Sequence, residues 1–151
     1  MLRSDKKLDN YQETNILKMI SLIYRKMQIY MGNKTADFGI TSGTLPFIMI
    51  ICENGCMAQN RFCEILDISK GTVAKSLAKL EEQGYVTREE NLEDGRCINV
   101  YPTKKALDIY PYLVEIGEEW IEYITKDMTE IEKMVFVESL KKVSGNISDY
   151  F

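Results

Sequence analysis

Histidine is missing from the 151-residue chain, tryptophan occurs once and proline three times. Without histidine there can be no Ser-His-Asp triad, no Cys-His pair and no His-containing zinc site. No apolar run approaches the roughly 18 residues that cross a bilayer; the longest, Leu45 to Cys52, is far shorter. The opening Met-Leu-Arg-Ser-Asp-Lys-Lys lacks the apolar centre of a signal peptide, so a cytoplasmic protein is expected, with no membrane partner. Repeats and low-complexity segments are absent. A positive balance is absent as well: 19 Lys and Arg stand against 23 Asp and Glu, a net charge of −4. Any contact with a polyanion must therefore come from a local basic patch.

What is present describes a globular protein. Hydrophobic residues make up 45% and charged residues 28%, values that support one domain over 1–151 with a real core. The four cysteines, Cys52, Cys56, Cys63 and Cys97, are expected as reduced thiols, Cys52 and Cys63 as small buried hydrophobes. Cys52, Cys56 and Cys63 would have to fold together to make a thiolate metal site and no fourth ligand is evident beside them, so no metal and no cofactor is expected. Glu118-Glu119 and Glu81-Glu82 read as solvated helix faces with no acid–base pairing. The chain is expected to be no enzyme.

Ile16, Ile20, Ile23, Met27 and Met31 recur at spacings of three and four, which predicts a long amphipathic helix over about 10–34, with Asn10 and Glu13 as a capping pair. After a loop at 35–39, Thr41 or Ser42 can cap a second helix, apolar on nearly all sides and with Pro46 in its first turn. A short helix over Gln59 to Leu66 and a turn at Asp67-Ile68 follow. Tyr85 to Arg88 and Ile98 to Val100 read as strands, and Asp94-Gly95 between them is a two-residue hairpin signal. Pro102-Thr103 opens another helix, kinked or restarted at Pro111, and Thr129-x-x-Glu132 is a capping box for a last one. The fold class is mostly α with one small β-hairpin.

The stretch Ser69-Lys-Gly-Thr-Val-Ala-Lys-Ser-Leu-Ala-Lys-Leu carries the functional signal. On a helix capped by Ser69, positions 72, 75, 76 and 79 share one face and Val73, Leu77 and Leu80 another. Thr72, Lys75, Ser76 and Lys79 thus form a basic stripe free of acid, while the aliphatic stripe packs inward. A lone stripe of this kind is ordinarily a solvated surface. Here a short helix and a tight turn precede it and a hairpin with Arg96 at its tip follows, the order of parts in a winged helix-turn-helix. Lysines can meet phosphates, and short hydroxyls can bond phosphates or base edges.

From Ile40-Thr41 through Gln59 to Leu66, Ser69 to Leu77, Leu80 to Val86, Arg88, Asp94-Gly-Arg96 and Val100 to Lys104, the sequence resembles the MarR family of transcriptional regulators. The resemblance covers about 40–106. It implies a winged helix-turn-helix lobe over about 40–103, flanked by N- and C-terminal dimerisation helices over about 10–34 and 104–146. It also implies a homodimer on a pseudo-palindromic double-stranded DNA operator, acting as a ligand-responsive repressor. By position it assigns DNA contact to Ser69, Lys70, Thr72, Lys75, Ser76 and Lys79, with Arg88 on the strand leading to the wing and Arg96 at the tip, oriented by Asp94. The helix offers lysine and no arginine, and the wing carries Glu89, Glu90 and Glu93, so phosphate positioning and DNA shape weigh more than guanine readout. Tyr24, Tyr30, Tyr110, Tyr112, Trp120 and Tyr123 are candidates to line a pocket for a small aromatic or phenolic effector, or else plain packing residues. Two rivals stand beside this reading. One is a winged-helix protein–protein module without DNA binding. The other is a thiol-based switch in which Cys97, beside Arg96, has a lowered pKa.

Overall fold

The computed structural model describes residues 14–150. The expected Asn10–Glu13 cap lies outside them. Two compact units divide the chain, one up to Ile116 and one from Gly117.

In the first unit, helix α1 (Thr14–Thr35) runs into a single 3-10 turn at Ala36–Phe38, which ends on Gly39 at φ +69°. Helix α2 is Leu45–Asn54, later than its sequence signal suggested. Neither Thr41 nor Ser42 caps it: the N-cap is Thr44, without a side-chain cap hydrogen bond, and Thr41 acts one turn earlier, its N–H donating to Thr44 Oγ1 at 3.0 Å and the Thr44 N–H to Thr41 Oγ1 at 3.2 Å. This reciprocal pair closes a turn ahead of the helix, and Pro46 sits harmlessly in the first turn where its missing N–H has no partner to lose.

Strand β1 (Met57–Ala58) had no sequence signal, being two residues long. Helix α3 (Gln59–Leu66) follows and stops at Asp67, whose φ of 51° lets the Ile68 N–H return to the Cys63 carbonyl. Helix α4 (Lys70–Glu82) ends in the same way. Gly84, at φ +78°, donates to the Glu81 carbonyl, and Tyr85 donates to the Leu80 carbonyl at 2.9 Å. Glycine is needed there because that φ is costly for a side chain.

Strands β2 (Val86–Glu90) and β3 (Ile98–Pro102) pair antiparallel, with Arg88 opposite Val100, and β1 pairs with the other edge of β3. Both strands outrun their sequence signals. The connection is a seven-residue loop rather than a two-residue turn at Asp94-Gly95. The reason is local: the Asn91 carboxamide oxygen accepts from the Glu93 and Asp94 N–H groups, and the Asn91 N–H reaches the Cys97 carbonyl at 2.8 Å, so the chain turns in two steps.

The core lies among α2, α3, α4, the sheet and the start of helix α5 (Lys104–Ile124). Phe47 and Phe62 stack with ring centroids 5.3 Å apart, and Val73, Leu77 and Leu80 of α4 are fully buried, as their stripe predicted. Thr103 caps α5 by accepting from the Ala106 N–H, and the helix passes Pro111 without restarting. Proline removes one N–H there but leaves the following turns bonded.

The second unit holds the end of α5 and helix α6 (Glu130–Tyr150), four residues longer than expected. Its capping box is complete: the Thr129 N–H donates to Glu132 Oε2 at 2.7 Å, and the Glu132 N–H donates to Thr129 Oγ1 at 3.3 Å. No residue of α6 is buried, and Ile131, Met134, Val135, Leu140 and Val143 are exposed on it. Among the described residues no helix is long and apolar enough to cross a membrane.

Candidate nucleic-acid interface

The site is built on α4. Ser69 begins it in an extended conformation and its Oγ accepts from the Thr72 N–H at 3.2 Å, with the two hydroxyl oxygens 2.9 Å apart. Both hydroxyls are therefore engaged in starting the helix. Lys70, Thr72, Lys75 and Lys79 are exposed and Ser76 is half-buried, so the acid-free face points outward as its spacing required. Lys75 and Lys79 stand one turn apart, about 6 Å along the axis, which lets both reach one stretch of phosphate backbone. Among the described residues neither has an ion-pair partner.

This face does not stand clear of the rest of the unit. Thr72, Lys75, Ser76 and Lys79 form one wall of a cleft of about 520 Å³; the 41–47 segment and α1, through Tyr24 and Gln28, form the others. On its other side, Lys75, Ala78 and Lys79 share a groove with Glu81, Glu82 and Arg88. The basic stripe thus lies between two depressions.

The C-terminal end of α4 is tied down at several points. The Gln83 side-chain N–H donates to the Gly39 carbonyl at 2.8 Å, Tyr85 OH donates to the Phe38 carbonyl at 2.7 Å, and Lys105 Nζ donates to the Gln83 carbonyl at 2.7 Å. Lys105 also lies 4.3 Å from the Tyr85 ring centroid. Burial pushes the Tyr85 hydroxyl pKa upward, which keeps it a donor.

The wing residues divide. Arg96 is exposed at the tip. Asp94 orients the Arg96 backbone, accepting from its N–H at 3.1 Å; no ion pair joins the Asp94 carboxylate to the guanidinium, so the expected side-chain orientation becomes a turn-shaping one. Asp94 also accepts from Cys97 Sγ at 3.5 Å. That hydrogen bond, then the carboxylate's charge, pushes the Cys97 thiol pKa up, the reverse of what the thiol-switch rival requires. The nearby Arg96 backbone fixes Asp94 against the thiol, and its guanidinium does not compensate.

Arg88 is the largest departure. Its backbone N–H, Nε and Nη2 all go to the Glu81 carboxylate, at 3.1, 3.0 and 2.7 Å. The Arg88 hydrogen bond holds Glu81 below the usual carboxylate range. Glu81, read from sequence as part of a solvated face, is thus a residue the pattern missed: a pair seven apart across a helix end and a strand has no periodic signature.

Tyr24 borders the cleft beside α4, and Tyr112 lines a second cleft of about 510 Å³ with Phe38, Tyr85, Lys104, Lys105, Asp108 and Ile109. Tyr110 donates to Glu53, Tyr30 and Tyr123 each lie under a lysine, and Trp120 is buried. Cys52 and Cys63 pack half-buried against the core, where desolvation raises the Cys52 thiol.

With this geometry in place, comparison with known proteins is informative. The MarR family model matches residues 38–96, from the turn before α2 to the wing tip. The crystal structure of a MarR transcriptional regulator from Methanosarcina mazei Go1 is 32% identical, covering 91% of this chain and 99% of that one, with a TM-score of 0.87. The uncharacterized HTH-type transcriptional regulator YybA of Bacillus subtilis is 27% identical over 133 residues, 88% of this chain and 89% of its own. A Listeria monocytogenes protein crystallised with a 26mer DNA is 26% identical over 88% of this chain and 89% of that one, with a TM-score of 0.81. Shared sequence over nearly the whole length, on the same arrangement of helices and wing, establishes that the chain belongs to the MarR family of transcriptional regulators.

Proposed function

We propose that the protein is a sequence-specific repressor that binds double-stranded operator DNA as a homodimer and is released by a small effector. The observation that carries DNA binding is the outward face of α4: Thr72, Lys75, Ser76 and Lys79, a stripe with no acid of its own and no ion pair among the described residues, on a helix capped at its start and tied down at its end. Lys70, Lys75 and Lys79 supply phosphate contacts, Thr72 and Ser76 reach base edges, and Arg96 extends the contact to the flanking groove. Ser69 and Asp94 act through the shape they give the helix start and the wing loop. The protein works by binding, not by catalysis, and belongs in the cytoplasm where the operator is. The test is selection from a random duplex pool. An enriched inverted repeat with half-sites about 10 base pairs apart supports the reading; a pool that stays random after several rounds supports the protein–protein rival instead.

The homodimer follows from apolar surface with nothing over it. Ile16, Leu17, Ile20 and Ile23 are all exposed on α1, from 48% to 74%, and α6 buries none of its apolar residues. Surface of that extent belongs against a second copy. Sedimentation equilibrium at micromolar concentration should return twice the 17.5 kDa chain mass; a stable monomer refutes it.

The effector, an aromatic or phenolic molecule, enters the cleft bordered by Tyr24 or the one lined by Tyr112. It lowers operator affinity only through a difference in its affinity for the two states, typically about 1–3 kcal/mol, and operator must weaken its binding by the same factor.

A further inference from the structure

Arg88 lies in the groove beside the phosphate-facing Lys75 and Lys79, yet its guanidinium is turned onto α4. Two of its nitrogens converge on Glu81 Oε2, and the backbone N–H of the same residue takes Oε1, so both carboxylate oxygens and one strand amide close a single bridge. The Arg88 side chain is 23% exposed and Glu81 39%, so the bridge is partly shielded from solvent. It joins the last turn of α4 to the middle of β2, opposite Val100 in the sheet. From Arg88 to Asp94 the chain spans at most about 20 Å, so a swing of 5° at this joint would move the wing tip by up to about 1.7 Å. A displacement of that size takes a groove contact out of hydrogen-bond range.

We propose that Glu81 and Arg88 form a positioning pair that fixes the wing against the reading helix and withholds the Arg88 charge from the DNA backbone. Discrimination between operator and random DNA depends on the pair, while the number of phosphates neutralised does not include Arg88. This rests on the DNA-binding reading above. The hydrogen bond and charge of Arg88 that hold Glu81 ionised are consistent with a carboxylate committed to this partner.

The test is a salt titration of the full chain on selected operator and on random duplex DNA, for Arg88→Met, Glu81→Gln and Lys79→Ala. Arg88→Met keeps the aliphatic stem, and the slope of log affinity against log salt should stay within about 0.3 of the parent. Its operator-to-random affinity ratio should fall about tenfold, the size of one lost specific contact. Glu81→Gln releases the guanidinium beside Lys75 and Lys79; the slope should steepen by about 1 and random-DNA affinity should rise. A slope about 1 shallower for Arg88→Met, on both DNAs alike, would make Arg88 a phosphate contact and overturn the proposal. An unchanged affinity ratio overturns it too. If far-UV circular dichroism shows Arg88→Met unfolded, Glu81→Gln decides alone, and an unchanged slope there refutes the withheld charge. Lys79→Ala separates the two levels: an unaltered slope in that variant means the helix is not on DNA, and the failure then lies with the DNA-binding reading.

Discussion

Removing one lysine from α4 should change how binding responds to salt by an amount that can be stated in advance. Lys79 is exposed, has no ion-pair partner among the described residues, and sits on the acid-free face one turn from Lys75. If it neutralises one phosphate, Lys79→Ala removes about 0.9 from the salt slope. Between 50 and 200 mM salt that is a factor of about 3.5 in the affinity lost, or about 0.7 kcal/mol. The effect should be the same on operator and random DNA, because a phosphate carries no sequence. The control is Lys141→Ala on α6, whose ammonium is 2.7 Å from Glu138 and whose helix belongs to the second unit, not to the one that holds α4. Fluorescence anisotropy of a labelled duplex at four or five salt concentrations gives both slopes. Equal slopes for the two variants, whether both shifted or both unshifted, would refute the assignment of residues 69–79 to DNA.

Leu77 has no exposed surface, and Leu77→Ala should cost about 2–5 kcal/mol in a urea titration followed by circular dichroism; a loss under 1 kcal/mol would mean the core does not close over α4. Asp94→Asn weakens the hydrogen bond and removes the charge that together raise Cys97, so alkylation of the native thiol at neutral pH should be faster than in the parent, and an equal rate would show that the carboxylate does not govern it. Glu81 is held below its ordinary value, so its contribution to stability is full above the usual carboxylate range and is lost as pH falls through the lowered value. Stability should therefore fall less steeply in acid for Glu81→Gln than for the parent, measured as urea midpoints from pH 6 down to pH 3.

The helices of the reading unit were legible because their signals are local. Ser69 at a helix start, Gly84 past a helix end and Val73, Leu77 and Leu80 at helical spacing each need only a few neighbours in sequence to be recognised. The same holds for Thr129 and Glu132, four residues that close their own box. What escaped was non-local or conditional. Strand β1 exists only because β3 offers it an edge, and two residues carry no alternation to detect. Asp94-Gly95 carried a hairpin signal, but Asn91 captured two amides upstream and lengthened the loop. The resemblance assigns Arg88 to DNA by its position before the wing, but its ion pair with Glu81 joins two elements, and proximity between elements is not written in spacing. Local spacing therefore marked which face of α4 is exposed, and the ion pair beside that face left no mark in it.

Helix α4 is gripped at one end. Gln83, Tyr85 and Lys105 lash its last turn to the 35–39 corner and to the start of α5, while at the other end Ser69 to Thr72 are exposed and the helix is held by its own cap and by the apolar packing of Ile68 and Val73. It resembles a key held by its bow, with the bit projecting. A small tilt of α5's first turn, passed through Lys105, would be felt least at the lashing and most at Lys70 and Thr72, the far end of a lever roughly 20 Å long. Lys70 and Thr72, proposed above to meet DNA, are thus the residues of α4 farthest from the lashing, with the buried Val73 beside them as the point where that end rests on the core.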